Sequence, residues 1–430
     1  METKINKTEV LAGVSTFLAT MYIIVVNPAI LSQTGMPFSA VLTATVLLSF
    51  LGSMMMGLYA KNPIVVAPGM GLNAFFTFTA VKTMGISYQI ALGAVFWAGI
   101  LFLILSIFNI RTQILKAIPQ PLRLGISAGI GLFITLIGFE NAKFIVGNPA
   151  TLIGIADLHS PAVLTFLFGL LLTAALVVRR VPGAIIIGVV LTTLAAYPIG
   201  RFWGDTTADF GHKILVNWSG LVAAPDFSLL FQLDLLGSLK WSVFPVIFAF
   251  AFTDLFDSLS TFMGLAEAAN LKDETGEPRN VKQALLTDAF ATLVAGLLGT
   301  SPGTAYIESA VGIEQGGRTG QTAIMAGLLF LPFMFLSPLL SAVPAIATAP
   351  SLILVGVFMM RPIAKINWDN LEDAIPAFLA MVLVPFSYSI TQGIIWGFLS
   401  YTLLKIIVGR AKEISPALWL INAFVLLSMI

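Results

Sequence analysis

The sequence predicts an all-α polytopic membrane protein with fourteen transmembrane helices. Of its 430 residues, 58% are hydrophobic and only 10% are charged, whereas a soluble domain carries about 25% charged residues. The apolar residues gather into stretches of the length that a helix needs to cross the hydrocarbon core, about 20 residues. Seven of these stretches precede the longest polar segment of the chain and seven follow it.

The predicted helices divide the chain into two repeats. They are expected near residues 10–27, 39–59, 64–82, 88–108, 121–139, 161–178 and 182–200, and then near 241–266, 282–299, 302–313, 319–341, 346–361, 373–389 and 391–409. The predicted parts are a first seven-helix repeat (1–200), an extracellular linker (201–239), a second seven-helix repeat (240–410) and a C-terminal tail (411–430). An odd number of crossings reverses the second repeat in the membrane. Such a 7+7 inverted repeat is a common plan of secondary transporters.

The basic residues support this topology. With the N-terminus inside, 17 of the 22 Lys and Arg residues fall in cytoplasmic segments, as the positive-inside rule requires. One missed helix would exchange the sides of all later loops and mix the two groups. We therefore expect a multi-pass protein of the cell membrane. Both termini are then cytoplasmic if the apolar tail does not cross.

The predicted eighth helix, Phe244–Leu265, carries two carboxylates in a segment that is otherwise strongly apolar. A charge at the centre of the bilayer costs about 2.5–3.5 kcal/mol by insertion measurements. Residues three and four apart share a helix face, so Asp254, Asp257, Ser258 and Thr261 form one polar stripe. Hydrogen bonding between helices is the alternative explanation. A pair of intramembrane acids favours a substrate or proton site.

The third and tenth helices are interrupted at matching places. Asn62–Phe76 contains two prolines and two glycines, and Gly299–Ser309 contains the similar Ser-Pro-Gly sequence. Proline removes a hydrogen-bond donor and disfavours helix at the preceding residue, so both segments are expected to start extended and continue as short helices. Close packing at the glycines is the alternative. Paired interruptions of this kind in the two halves are the best pointer to a transporter site.

The candidate site combines these features. The predicted substrate-binding residues are Asp254, Glu308, Asn73, Gly71, Phe75, Thr304 and Ala305, and the predicted proton-coupling residues are Asp257, Asp254 and Glu308. These helices carry no Lys, Arg or His beside the acids, which disfavours an anionic substrate. Carboxylates and backbone groups suit a planar heterocycle rich in N–H donors. Two acids this close cannot easily both ionise, so the cluster can carry a proton. Asp288 is expected to be an interfacial cap or a packing partner.

The composition of the chain disfavours several classes of function. The chain has no cysteine and only two histidines, both in polar loops, so no metal site or metal cofactor is expected. The net charge of +1 gives no reason to expect nucleic acid as a partner. An intramembrane aspartyl protease, the remote enzyme alternative, needs acids on two facing helices and a GxGD sequence that is missing here. The nearer alternatives are a transporter of anions or of other nucleobases, such as uracil or xanthine, on the same fold.

Five motifs resemble one transporter family. They are NPAIL (27–31), APGMGLNAFF (67–76), TDLFDSLST (253–261), GTSPGTAYIESAVGIEQGGRTG (299–320) and INWDN (366–370). Together they are similar to the AzgA-like purine permeases, a branch of the nucleobase–ascorbate transporter superfamily. The resemblance covers nearly the whole chain in order. It implies a core domain, a gate domain and short antiparallel strands in the third and tenth helices.

The same resemblance implies an activity and residue roles. It implies proton-coupled uptake of adenine, guanine or hypoxanthine, with H⁺ as the coupling ion and no other cofactor. Asp254 and Glu308 would contact the purine, Asp257 would support the proton or substrate step, and Asn73 would line the site. Uracil-transporting relatives have a histidine on the eighth helix where this chain has Ser258 nearby, so coupling would depend on the acids. Besides the purine and membrane lipid, a second copy in a homodimer is an expected partner.

Overall fold

The computed structural model describes residues 6–108, 119–269, 271, 279–416, 418, 419 and 422. Within these ranges it is mostly helical, and nine helices are long and apolar enough to cross a membrane. Two shorter apolar helices, Ala184–Ala196 and Gly320–Phe335, accompany them. The coarse expectation of a polytopic helical membrane protein is therefore confirmed. Most of the predicted tail lies outside the described residues, as do four of the 17 basic residues assigned to cytoplasmic segments, Lys4, Arg111, Lys116 and Lys272.

Helices coincide with the predicted segments along both halves of the chain. In the first half they are α1 (Lys7–Thr20), α2 (Ile23–Leu31), α3 (Phe38–Met55), α4 (Met70–Ala74), α5 (Tyr88–Ile107), α6 (Gln120–Asn141), α7 (Pro161–Val178), α8 (Ala184–Ala196) and α9 (Thr207–Phe210). In the second half they are α10 (Phe244–Ala269), α11 (Val281–Leu298), α12 (Ala310–Glu314), α13 (Gly320–Phe330), α14 (Ser337–Leu340), α15 (Ala345–Met360), α16 (Leu371–Ser387) and α17 (Ile390–Ile407). π-Helical turns extend α3 over Met56–Ala60 and α4 over Phe75–Thr83.

Both predicted interruptions are extended, as expected. Strand β1 (Val66–Pro68) precedes α4, and strand β4 (Gly303–Ala305) precedes α12. The two strands pair antiparallel, with Ala67 opposite Thr304. They are buried throughout, so their backbone groups need partners inside the protein. The pairing supplies them, and it joins the two halves of the chain at one point.

Side chains complete the hydrogen bonding around this strand pair. The Ser53 hydroxyl of α3 lies 3.2 Å from the Val66 amide and 3.3 Å from its carbonyl. The Val65 amide donates to the Ser309 hydroxyl at 3.0 Å. Side chains from α3 and from the turn before α12 thus satisfy backbone groups in and beside β1.

A second, exposed hairpin follows α6. Strands β2 (Ile145–Asn148) and β3 (Leu152–Ile155) pair antiparallel. The sequence analysis expected only a connection between two helices here. The apolar side chain of Leu152 at its tip is 85% exposed.

The helices pack as two groups. The first, here called the strand bundle, contains α1–α5 and α10–α13 around the β1–β4 pair. The second, here called the flanking bundle, contains α6–α8 and α15–α17. Within it α6 and α16 approach closely at Gly129, where an added Cβ would lie 2.8 Å from the Met381 carbonyl. The bundles meet where α6 passes α4, with further contacts of α1 with α8, α2 with α15 and α10 with α17.

Candidate functional site

Asp254 lies in the middle of α10 and points at the strand pair. Its side chain is completely buried. Oδ2 is in hydrogen-bond contact with the Thr292 hydroxyl of α11, which also lies 3.0 Å from the Gly303 carbonyl of β4. Oδ1 has no partner among the described residues. The predicted acid is therefore linked through Thr292 to the interrupted tenth helix.

Asp288 is a residue that the sequence analysis expected to be an interfacial cap or a packing partner. On α11 it is fully buried, which is not the position of an interfacial cap. It interacts electrostatically with Asp254 and Asp257. The Ser258 hydroxyl and the Ala305 amide lie near its carboxylate. Neither is in hydrogen-bond geometry, since both Asp288 oxygens lack a partner among the described residues. An unsatisfied buried carboxylate is expensive, so Asp288 belongs with the candidate site.

Asp257 and Glu308 form a less enclosed part of the cluster. Both are partly exposed, and they interact electrostatically with each other. The Tyr22 hydroxyl of the α1–α2 turn donates to Glu308 Oε1 at 2.7 Å. Tyr22 lies in an apolar run, so no sequence pattern marked it as a site residue. The ring centroids of Tyr306 and Tyr22 are 6.5 Å apart, and the Tyr306 hydroxyl donates to the Pro68 carbonyl.

The predicted strand residues lie between these acids. The Thr304 hydroxyl is 2.8 Å from that of Ser258 on α10. Ala305 is buried beside it and pairs with Val66. Gly71, in the first turn of α4, faces the flanking bundle, since an added Cβ would lie 2.5 Å from a methyl of Ile130.

Asn73 on α4 and Phe75, at the start of the π-helical turn that follows it, are both buried. The Asn73 amide donates to Asn27 Oδ1 at 3.1 Å, and its own oxygen has no partner among the described residues. Asn27 in turn donates to Thr45 and Thr300. Phe75 packs edge-on against Phe250, with ring centroids 4.8 Å apart. Asn73 thus belongs to a polar network that joins α2, α3 and the second interruption.

Four carboxylates therefore form one connected cluster, in which Asp257 interacts electrostatically with each of the other three. They are Asp254, Asp257, Asp288 and Glu308. No Lys, Arg or His among the described residues acts on any of them. No group of three acidic or histidine side chains in the described ranges has the geometry of a metal site.

Sequence comparisons agree with a transporter. The profile of a family described as Permease family (Xan_ur_permease) matches residues 7–396. The adenine permease AdeP of Escherichia coli (strain K12) is 43% identical over 426 residues, which cover 99% of this chain and 93% of AdeP. The guanine/hypoxanthine permease PbuO of Bacillus subtilis (strain 168) is 42% identical over 415 residues, which cover 95% of this chain and 94% of PbuO.

Solved structures give the same fold. The transmembrane domain of the cyanobacterium bicarbonate transporter BicA superposes with a TM-score of 0.64 at 15% identity, covering 92% of this chain and 98% of that chain. At this level of sequence identity the likeness concerns the fold and not the transported substrate. The resemblance inferred from the motifs is confirmed by the family match. This chain belongs to the permease family matched over residues 7–396, and it is a multi-pass membrane transporter rather than an enzyme.

Proposed function

We propose that this protein takes up purine nucleobases (adenine, guanine or hypoxanthine) across the cell membrane together with protons. The observation that carries the proposal is the cluster of four carboxylates, without a cation, beside two paired helix interruptions. Relatives that cover nearly the whole chain are named adenine and guanine/hypoxanthine permeases. The strand bundle would be the core domain and the flanking bundle the gate domain of a fourteen-helix, 7+7 inverted repeat.

Purine recognition would use the less enclosed acids. Purines present ring N–H groups, and some carry an exocyclic amine, so carboxylate acceptors match them. Asp257 and Glu308 are the two partly exposed members of the cluster, and Tyr22 fixes one oxygen of Glu308. Free amides in the first turn of α4, at Met70 and Gly71, would donate to purine acceptor atoms. Asp254 would bind the purine only after the cluster opens, because it is completely enclosed here.

Proton coupling would use the deeper acids. The Thr292 hydroxyl has one proton but faces two oxygens, the Gly303 carbonyl and the Asp254 carboxylate. Both contacts are hydrogen bonds at once if Asp254 is protonated and donates to Thr292, which then donates to Gly303. Four acids at close range without a cation also cannot all be ionised. Asp254 is therefore assigned the transported proton, with Asp257, Asp288 and Glu308 as groups that exchange it.

The carboxylate cluster argues against some of the alternative functions and not against others. An anion would meet acids and no cation, which is unfavourable. Asp254 and Asp288 lie on two different helices, as the acids of an aspartyl protease do, but the GxGD sequence is still missing and the matched family is one of permeases rather than enzymes. A uracil or xanthine transporter has the same general chemistry, and only the substrate profile separates it from a purine transporter.

The remaining assignments concern topology and assembly. The charge pattern of the sequence supports cytoplasmic termini. The family resemblance supports a homodimer formed through the gate domains.

The test is uptake of radiolabelled substrates in a host that lacks its own permeases. We expect uptake of adenine, hypoxanthine or guanine that is lost when a protonophore collapses the proton gradient. Cells carrying the empty vector are the control. Transport of sulfate without any nucleobase signal would refute the proposal, and transport of uracil or xanthine alone would reassign the substrate.

A further inference from the structure

A single side-chain hydrogen bond joins the two bundles among the described residues. The Thr79 hydroxyl, in the π-helical turn that follows α4, donates to the Tyr388 carbonyl at the end of α16, at 2.7 Å. Thr79 is buried, so water does not readily replace this bond. Other side-chain hydrogen bonds of the strand bundle in this part of the chain stay inside it, as that from Thr77 to the Ile30 carbonyl does.

Tyr388 is held in place by its own contacts. Its φ of 52° is in the left-handed region, which a tyrosine rarely adopts. Its hydroxyl donates to Glu140 of α6 at 2.7 Å. Its ring packs edge-on against Phe133, with centroids 5.6 Å apart. All of these contacts lie within the flanking bundle, so the carbonyl that Thr79 meets is fixed to that bundle.

A second attraction joins the two bundles nearby, across the boundary between them that is here called the cleft. Lys82, almost one turn after Thr79, is attracted to Glu140, an attraction that the like charge of Lys143 partly opposes, and it donates to Gln33 at 2.8 Å. Lys82 belongs to the strand bundle and Glu140 to the flanking bundle. Glu140 and Tyr388 also line a cavity of about 760 Å³ beneath the β2–β3 hairpin. These contacts therefore lie at the hairpin end of the cleft, whereas Gly71 meets Ile130 deeper, beside the candidate site.

We propose that Thr79 and Tyr388, supported by Lys82 and Glu140, form a latch that closes the hairpin end of the cleft between the bundles. Opening the site towards that side separates the bundles and breaks this bond. The latch would thus set how often the site faces the hairpin side. The inference rests on the proposed transport cycle but not on the identity of the substrate.

The expected effect is modest and measurable. A hydrogen bond between neutral groups shifts an equilibrium by about fivefold on average. Removing the Thr79 hydroxyl should therefore increase the population open at the hairpin end about fivefold. Replacing Thr79 by Val keeps the shape of the side chain, so packing in the strand bundle is preserved.

The experiment uses the absence of native cysteine. An Ile130→Cys reporter, at a buried position in the cleft, is labelled with a membrane-impermeant maleimide from the hairpin side, without substrate. With Thr79→Val we expect labelling about five times faster. Two matched controls, Thr79→Ser, which keeps the hydroxyl, and Thr77→Val, which removes a hydroxyl that bonds inside the strand bundle, should label at the parent rate.

The labelling rates distinguish a latch between the bundles from a general effect of removing a hydroxyl. A rate in Thr79→Val equal to that of the parent, or an equal rise in Thr77→Val, would overturn the latch. If Thr79→Val does not fold, Glu140→Gln is measured instead, since it weakens the Lys82 attraction while leaving an acceptor for Tyr388. A faster rate would support the latch and an unchanged rate would overturn it. Because labelling needs no purine, a negative result leaves the proposed substrate untouched.

Discussion

At the scale of single residues, Asp254 and Glu308 face different surroundings. Asp254 is enclosed and touches Thr292, whose hydroxyl is shared with a strand carbonyl. Glu308 is partly exposed and accepts a hydrogen bond from Tyr22. Enclosure suits a group that keeps a proton, and partial exposure suits a group that meets the substrate. Removing the Asp254 carboxylate should therefore disable transport because the proton is no longer carried. Removing the Glu308 carboxylate should disable it because the substrate is no longer bound.

Asp254→Asn and Glu308→Gln should each abolish purine uptake while the protein still reaches the membrane. Each change keeps the size of the side chain and removes its capacity to ionise. Initial uptake rates, normalised to protein detected in membranes, give the measurement. Glu413→Gln, at an exposed position outside the membrane-spanning segments, is the matched control. Wild-type uptake in both site variants would remove these acids from the mechanism.

Tyr22→Phe should raise the KM for the purine by about ten- to a hundredfold and change the maximal rate less. The hydroxyl positions Glu308, and a hydrogen bond to a charged group contributes about 1.5–3 kcal/mol. Tyr59→Phe, a surface tyrosine on α3's π-helical turn, controls for loss of a phenol. An unaltered KM in Tyr22→Phe would show that Tyr22 does not orient the substrate ligand.

Sequence reasoning found the acids in the middle of a predicted helix or beside an interruption, and it gave Asp288, nearer the start of a helix, a structural role. Asp254 and Asp257 could be recognised from the sequence because their spacing forms a polar stripe on one helix face. Asp288 lies seven residues from the start of its helix, so sequence alone suggested the membrane interface. Its burial depends on how α11 packs against α10 and β4. Tyr22 meets Glu308 across 286 positions of the chain, a contact that no local pattern encodes.

At the scale of elements, the two interruptions were predictable and their mutual pairing came only from family resemblance. Prolines and glycines in the printed sequence exclude continuous helix at β1 and β4. The register of Ala67 with Thr304 depends on α3, α10 and α11 holding both segments together. The exposed β2–β3 hairpin went unpredicted although Asn148-Pro149 at its turn is a turn signal, because this short segment was treated only as a connection between two helices.

Ser53→Ala should lower stability by about 1–3 kcal/mol, because it leaves buried backbone groups of Val66 without a partner. Thermal unfolding in detergent measures the change. Ser49→Ala is a matched control on the same helix, since that buried hydroxyl bonds only a carbonyl of its own helix, at Thr45. Equal melting temperatures for the two variants would mean that Ser53 does not support the strand pair.

At the scale of the whole molecule, the candidate site and the cleft between the bundles are adjacent. The strand bundle holds all four carboxylates, and the flanking bundle meets it at Gly71 and Ile130. Movement of one bundle against the other would expose the same acids to either side of the membrane. Family membership and the helical membrane fold could be read from the sequence, whereas the contacts between bundles, such as Thr79 with Tyr388, needed the structure.

The central claim is that this carboxylate cluster moves a purine and a proton together. The most direct measurement is proton entry into liposomes containing the purified protein, followed with a trapped pH dye when purine is added outside. We predict acidification of the lumen on adding adenine, guanine or hypoxanthine to the wild type, and none with Asp254→Asn. Purine accumulation in the wild type without any proton entry would contradict the account.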